Sequence, residues 1–270
     1  MMSSRPAAHR CIVILSDKSS GSSALQTYLV RFVGGRHVEK TRHHEHETLY
    51  WTKAASLLLR PQEPMLDSEV PIAPKPARAD LLRLLRDNLG YAPDASDDRE
   101  IVFRGWRALC EHFGPLFVEK SPHHLHQWSA LELLVECMDA SPDVAFLAIG
   151  LVRNPIDVVY SSWQRWRAAP EPNQHEWLRA ARNLQKLSAV LGPRLAVLRY
   201  EDAIRDPDSL DFVHAFTGVP PTPESRGFLH GDSIQKWKRD PNFRFALAAP
   251  VRQLALELGY RSEELASGGS

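Results

Sequence analysis

Five short stretches of this 270-residue chain carry side chains that could do chemistry. LSDKSSGSSALQTYLV (15–30) places Lys18, Ser19, Ser20, Gly21, Ser22 and Ser23 in consecutive positions. Small residues ahead of an amphipathic helix let backbone N–H groups converge on an anion, and the helix N-terminus adds partial positive charge. Gly21 permits close backbone approach, the hydroxyls can donate, and Lys18 supplies a full charge. The nucleotide-kinase pattern GxxxxGK(S/T) is not met, and a serine turn that merely caps the helix is the plain alternative. LVRNPIDVVYSSW (151–163) puts Arg153 at the end of an apolar run, with Asn154 as N-cap and Pro155 at the first helical position. Arg153 and Ser161 could bracket one phosphate with guanidinium and hydroxyl.

Proton-transfer candidates gather in KTRHHEHETLYW (40–51), which holds His43, His44, Glu45, His46, Glu47 and Trp51. FVEKSPHH (117–124) adds Lys120 and His123, and QKWKRD (235–240) adds Lys236 and Trp237. HHEH matches neither HExxH nor HxxEH, and adjacent residues on a strand or turn point in different directions, so no metal site is expected.

Positioning these groups requires a fold. Runs at 11–15, 37–41, 116–119, 144–152 and 195–200 read as strands, three of them almost wholly apolar, as strands covered on both faces should be. Helical patterns at 25–33, 48–60, 79–89, 123–138, 155–168, 174–191 and 250–259 alternate with them. The expectation is one α/β domain with a central five-stranded parallel sheet flanked by helices and a P-loop-like loop after strand one. Proline-rich loops at 61–78 and 168–174 are expected to be lids or connections. Residues 1–9 and 266–270 are expected to be flexible ends.

Composition narrows the partners. With 33 basic and 33 acidic residues the formal net charge is zero, so no nucleic-acid partner is expected and any anion site must be built locally. Cys11, Cys110 and Cys137 are odd in number and widely spaced, which suits buried, reduced thiols. The apolar run after MMSSRPAAHR is too short for a signal segment or a membrane span, so a cytoplasmic protein without integral membrane contact is expected.

Taken together, the stretches resemble the sulfotransferases that use 3′-phosphoadenosine 5′-phosphosulfate (PAPS). KSSGSS (18–23) is similar to that family's 5′-phosphosulfate loop, and Arg153 with Ser161 to its 3′-phosphate pair, at the family's spacing of eight. FVEKSP (117–122) and LRYEDAIRDP (198–207) resemble two further elements in the same order. The basic residue that the family sets directly before SG is displaced here, since that position is Ser19 and Lys18 stands one earlier. The resemblance implies transfer of a sulfonate to a hydroxyl of a small-molecule or glycan acceptor, leaving adenosine 3′,5′-bisphosphate. It implies a cation at the bridging oxygen, either Lys18 or Lys120, and a base, with Glu47 the best-placed candidate and Glu45 or a nearby histidine as alternatives. Lys236 and Trp237 would add nucleotide contacts, while His43, Glu45, His46, Trp51 and His123 would lie towards the acceptor. The rival readings are a P-loop kinase and a noncatalytic nucleotide-binding protein. Acceptor identity and oligomeric state stay open.

Overall fold

The computed structural model describes residues 9–94 and 97–266. The ends expected to be flexible lie outside these residues, apart from His9, which opens the first strand, and Ala266.

Four strands, not five, form the sheet: β1 (His9–Ser16), β2 (Leu116–Lys120), β3 (Val144–Val152) and β4 (Leu195–Arg199). All pair in parallel in the order β2-β1-β3-β4. The strand expected at 37–41 reduces to one bridge, Arg36 to Phe117. Past it, the Asn88 side chain takes the backbone N–H groups of Glu39 and Lys40 and donates to the Lys40 carbonyl, which gives this backbone partners away from the sheet.

Helices in chain order are α1 (Ser22–Val33), α2 (Tyr50–Leu57), α3 (Pro74–Leu89), α4 (Asp98–His112), α5 (His123–His126), α6 (Trp128–Ala140), α7 (Pro155–Trp166), α8 (Pro170–Leu191), α9 (Tyr200–Arg205), α10 (Asp211–Thr217), α11 (Pro223–Arg226) and α12 (Ala249–Glu257). They cover both faces of the sheet. Cys11, Val13 and Leu15 of β1 enter a core with Trp51, Trp106 and Leu184, while Ile12 and Ile14 enter a second core with Leu25, Tyr28 and Leu29. This period-2 division of an unbroken apolar run is what a central parallel strand requires. All three cysteines are buried and free.

Several boundaries differ from the sequence expectation, each for a local reason. The helix expected over 123–138 breaks at Gln127, whose backbone leaves helical geometry (φ −117°, ψ 99°). Its amide exchanges hydrogen bonds with the backbone of Glu63, which pins the proline-rich loop. Pro74 and Pro170 sit in the first turns of α3 and α8, so the two proline-rich segments are shorter loops than expected. The helix expected at 48–60 is confined to Tyr50–Leu57, because Leu49 takes a left-handed conformation (φ 51°). Helix α4 is an addition to the elements expected from the sequence. Among the described residues, no helix is long and apolar enough to cross a membrane.

Candidate active site

The chain runs from β1 to β2 on one side and then crosses over to β3 on the other. Connections therefore diverge between the carboxyl ends of β1 and β3, where open α/β sheets leave a crevice for ligands. A cleft of about 1230 Å³ opens there. It is lined by Lys18, Ser19, Gly21, Ser22, Ser23, His43, Glu45, Glu47, His123, Arg153, Ser161 and Lys236, all singled out in the sequence. The topology thus brings the first and third strand ends together across 134 residues, with Arg153 Nη1 donating to the Ser19 carbonyl at 2.9 Å.

The loop after β1 turns sharply into α1. Ser19 (φ 61°) and Gly21 (φ 91°) are both left-handed, and Gly21 forms the N-cap of α1. No side chain caps this helix, and the first intrahelical donor is Leu25 N–H to Gly21 O, so the preceding amides of α1 are left for another partner. A Cβ on Gly21 would stand 2.4 Å from the Tyr200 ring, so the glycine lets this aromatic wall close on the loop. The buried Ser20 Oγ has no hydrogen-bond partner in the protein. Asp17 fixes the loop from below, accepting from Lys18 N–H (2.7 Å) and holding buried His126 Nε2 (2.8 Å).

Arg153 is almost fully buried. Its guanidinium lies 5.2 Å over the Tyr200 ring, and Nη2 donates to the Ser233 carbonyl (2.6 Å). Its Nε has no partner. One helical turn on, Asp157 accepts from Gln235 N–H (2.7 Å) and leaves Oδ2 unpaired in a buried position. Burial pushes its carboxyl up to about 6, against the pull of Arg153. Together Arg153 and Asp157 fasten the segment around Ser233 and Lys236 over one end of the cleft.

Behind the cleft wall at the other end lies Lys120, which is fully buried and outside the lining. Its Nζ is 3.2 Å from Ser23 Oγ and 3.5 Å from both Glu45 Oε2 and Glu47 Oε1. Burial raises the Glu47 carboxyl above its usual value, and Lys120 opposes the rise. The next two residues, Thr48 and Leu49, hold Glu47 in place. Ser121 Oγ accepts from their N–H groups, and Ser121 and Thr48 both donate to buried Glu119, which also contacts His124. The EKS segment therefore delivers Lys120 and, through Glu119 and Ser121, fixes the turn that carries Glu47.

The other base candidates are placed differently. His123 Nδ1 is 3.6 Å from Glu47 Oε2, and burial pushes its imidazole well below the usual value. His43 Nε2 meets buried Lys53 Nζ at 2.9 Å, and burial together with that ammonium lowers it to about 4. Glu45 takes a left-handed conformation (φ 53°), and a hydrogen bond from Ser23 Oγ lowers its carboxyl. His44 and His46 are exposed, His46 against the His37 ring. Lys18 Nζ donates to the Leu66 carbonyl (2.6 Å), which ties the proline-rich loop to the cleft.

Two aromatic candidates fall outside the cleft lining. Trp51 is buried in the core against Trp106, and Trp237 in a cluster with Ile156, Val159 and Phe243. Glu201 is structural, accepting from Asn154 N–H and Tyr260 O–H, and Asp202 pairs with Arg199 at the end of β4. Sequence reasoning missed Asp157, Tyr200 and Asn173, all of which line the cleft. The signal for Asp157 was its place one turn after Arg153, although an Asp at that position also reads as an ordinary first-turn helix carboxylate. Among the described residues, no group of three or more His, Cys, Asp or Glu could hold a metal ion.

No family model matches the sequence, and no curated protein matches it. Solved structures do. The chain is similar to the sulfotransferase domain from the curacin biosynthetic pathway, with TM-score 0.59 and 19% identity over 96% of this chain and 99% of that one. It is also similar to the sulfotransferase domain of the olefin synthase from Synechococcus PCC 7002, with TM-score 0.55 and 20% identity over 97% and 98%. Identity this low makes the likeness one of fold, and that fold spans nearly the whole of each chain.

Proposed function

We propose that the whole chain forms one sulfotransferase domain, which moves the sulfonate of PAPS to a hydroxyl of a small-molecule or glycan acceptor. The observation that carries this reading is the meeting of two anion-binding devices in one cleft: the uncapped N-terminus of α1 behind Gly21, and Arg153 with Ser161 on the β3 side. Two anion sites flanking one crevice suit a nucleotide phosphorylated at both its 5′ and 3′ positions. The unpaired Ser20 Oγ and Arg153 Nε supply hydrogen-bond donors that such a ligand would satisfy. When bound, the donor supplies a sulfonate already activated by a phosphate leaving group.

The amides of α1 with Ser22 and Ser23 would hold the 5′-phosphate, and Arg153 and Ser161 the 3′-phosphate, with Lys236 adding charge. Lys120, buried behind the lining between Ser23 and Glu47, would balance charge growing on the bridging oxygen or the sulfonate where Ser23 and Glu47 meet the cleft. Lys18 spends a hydrogen bond on Leu66 and is the second candidate. Glu47 takes the proton from the acceptor hydroxyl while that oxygen bonds to sulfur and the bond from sulfur to the bridging oxygen breaks. The products are a sulfate ester and adenosine 3′,5′-bisphosphate. Burial makes Glu47 a stronger base than a solvated carboxylate, which suits general-base work near neutral pH.

The test is thermal denaturation with adenosine 3′,5′-bisphosphate or with ATP and magnesium. A ligand at a hundred times its dissociation constant adds about 2.7 kcal/mol, or roughly 5–10 °C for a chain of this size. Stabilisation by the bisphosphate alone supports the reading. Stabilisation by ATP alone would turn it towards a kinase, and by neither towards a fold without this activity.

A further inference from the structure

Beside Glu47 the cleft continues past the end of α7 to the start of α8, and this stretch has a chemical character of its own. Asn173, in the first turn of α8, is 7% exposed and lines the cleft, yet its side-chain Oδ1 has no hydrogen-bond partner. Buried polar atoms in folded proteins are normally satisfied, so this one calls for a partner. One turn along, Glu176 lines the same wall and accepts from Leu66 N–H at 2.7 Å, which brings the 66–69 loop alongside. That loop contributes Asp67, Ser68 and Glu69 to the lining. At the lip, Trp166 closes α7 with about half of its surface exposed. A large aromatic beside hydrogen-bonding groups offers a flat apolar face with polar groups around it.

We infer that this wall is an acceptor subsite for a polyhydroxylated molecule of the sugar class, with Asn173 reading one of its hydroxyls and Trp166 stacking against its ring face. The inference deepens the sulfotransferase reading and rests on it for the word acceptor. A long-chain alcohol fits the wall less well, because its chain would bury the orphaned Asn173 amide without a partner. A ring bearing several hydroxyls supplies donors to the carboxylates and the amide, and its C–H face suits an indole.

The experiment is saturation-transfer NMR on the full chain loaded with adenosine 3′,5′-bisphosphate. The probes are methyl α-glucoside and maltose, set against 2-naphthol and 1-octanol. The expected result is transfer to the sugars, lost or weakened at least tenfold in Asn173→Leu and reduced in Trp166→Ala, with bisphosphate affinity within twofold of wild type in both. The exposed Trp166 keeps the test sound should Asn173→Leu fold poorly. Transfer to naphthol or octanol with none to the sugars overturns the inference, and so does transfer to no probe. Sugar contact that depends on Asn173 in a protein that does not bind the bisphosphate would keep the subsite and remove the donor reading.

Discussion

Replacing Gly21 by alanine probes how the loop after β1 is held. Gly21 has φ 91° and ψ 11°, and an added Cβ would lie 2.4 and 2.5 Å from two carbons of the Tyr200 ring. Left-handed backbone costs a non-glycine residue roughly 1–2 kcal/mol. Forcing a methyl into a packed wall costs about 1–3 kcal/mol more. The ring cannot easily yield, because Tyr200 is buried and Arg153 lies over it. Gly21→Ala should therefore destabilise by roughly 2–5 kcal/mol, lowering Tm by about 5–20 °C. Tyr200→Ala opens the space but leaves the backbone cost, so in that background Gly21→Ala should cost only about 1–2 kcal/mol. Denaturant titration of the four proteins in the cycle measures both terms. A cost under about 0.5 kcal/mol for Gly21→Ala alone, or one unchanged by removing Tyr200, would refute the idea that glycine serves the close approach of this wall.

The site sets three further expectations. Glu45 places a carboxylate against Ser23 Oγ and Lys120 at the start of α1, where the donor's own anion would sit. Glu45→Gln should tighten adenosine 3′,5′-bisphosphate by roughly fivefold, about 1 kcal/mol for a half-exposed charge, as read by calorimetry; weaker binding would count against a shared position. Asp157 has its folded carboxyl raised to about 6 from an ordinary 3.8, so the folded state holds the proton more tightly and wild-type stability should fall as pH rises through that window. Asp157→Asn removes the titration and keeps an acceptor for Gln235 N–H. Its stability relative to wild type should rise between pH 4 and 7, by up to about 3 kcal/mol, and a flat difference would contradict the buried carboxylate. Glu47→Gln should lower kcat by about 10²–10⁴ with bisphosphate affinity retained, and the acid limb of the wild-type pH–rate profile should lie above the ordinary carboxylate range. Near-wild-type turnover in Glu47→Gln would move the base to His123.

The parts of the site legible in the sequence were those where local chemistry and topology agree. Asn154 caps α7 through Ile156 N–H and Pro155 opens it, which locates Arg153 at a strand end without knowledge of the sheet. The run CIVIL and the glycine after it announced β1 and its loop. The expectations that failed depended on partners far along the chain. Residues 37–41 have a strand-like sequence, but Asn88 captures their backbone. Gln127 breaks a continuous helical pattern because Glu63 offers it two hydrogen bonds. Trp51 and Trp237 looked available for a ligand, yet both fill cores. The cluster at 43–47 showed which residue types were present but not which was free to act. That depends on Ser23, Lys53 and Lys120, which lie elsewhere in the sequence and come together only in the fold.

The central claim is that Arg153 reads a 3′-phosphate on a nucleotide whose 5′-phosphate rests on α1. Calorimetric titration of adenosine 3′,5′-bisphosphate and adenosine 5′-monophosphate into wild type and Arg153→Ala tests it most directly. Wild type should prefer the bisphosphate by at least tenfold. Arg153→Ala should nearly abolish this preference while still binding the monophosphate as wild type does. Equal affinity of wild type for the two nucleotides, or a preference that survives loss of Arg153, would contradict the claim.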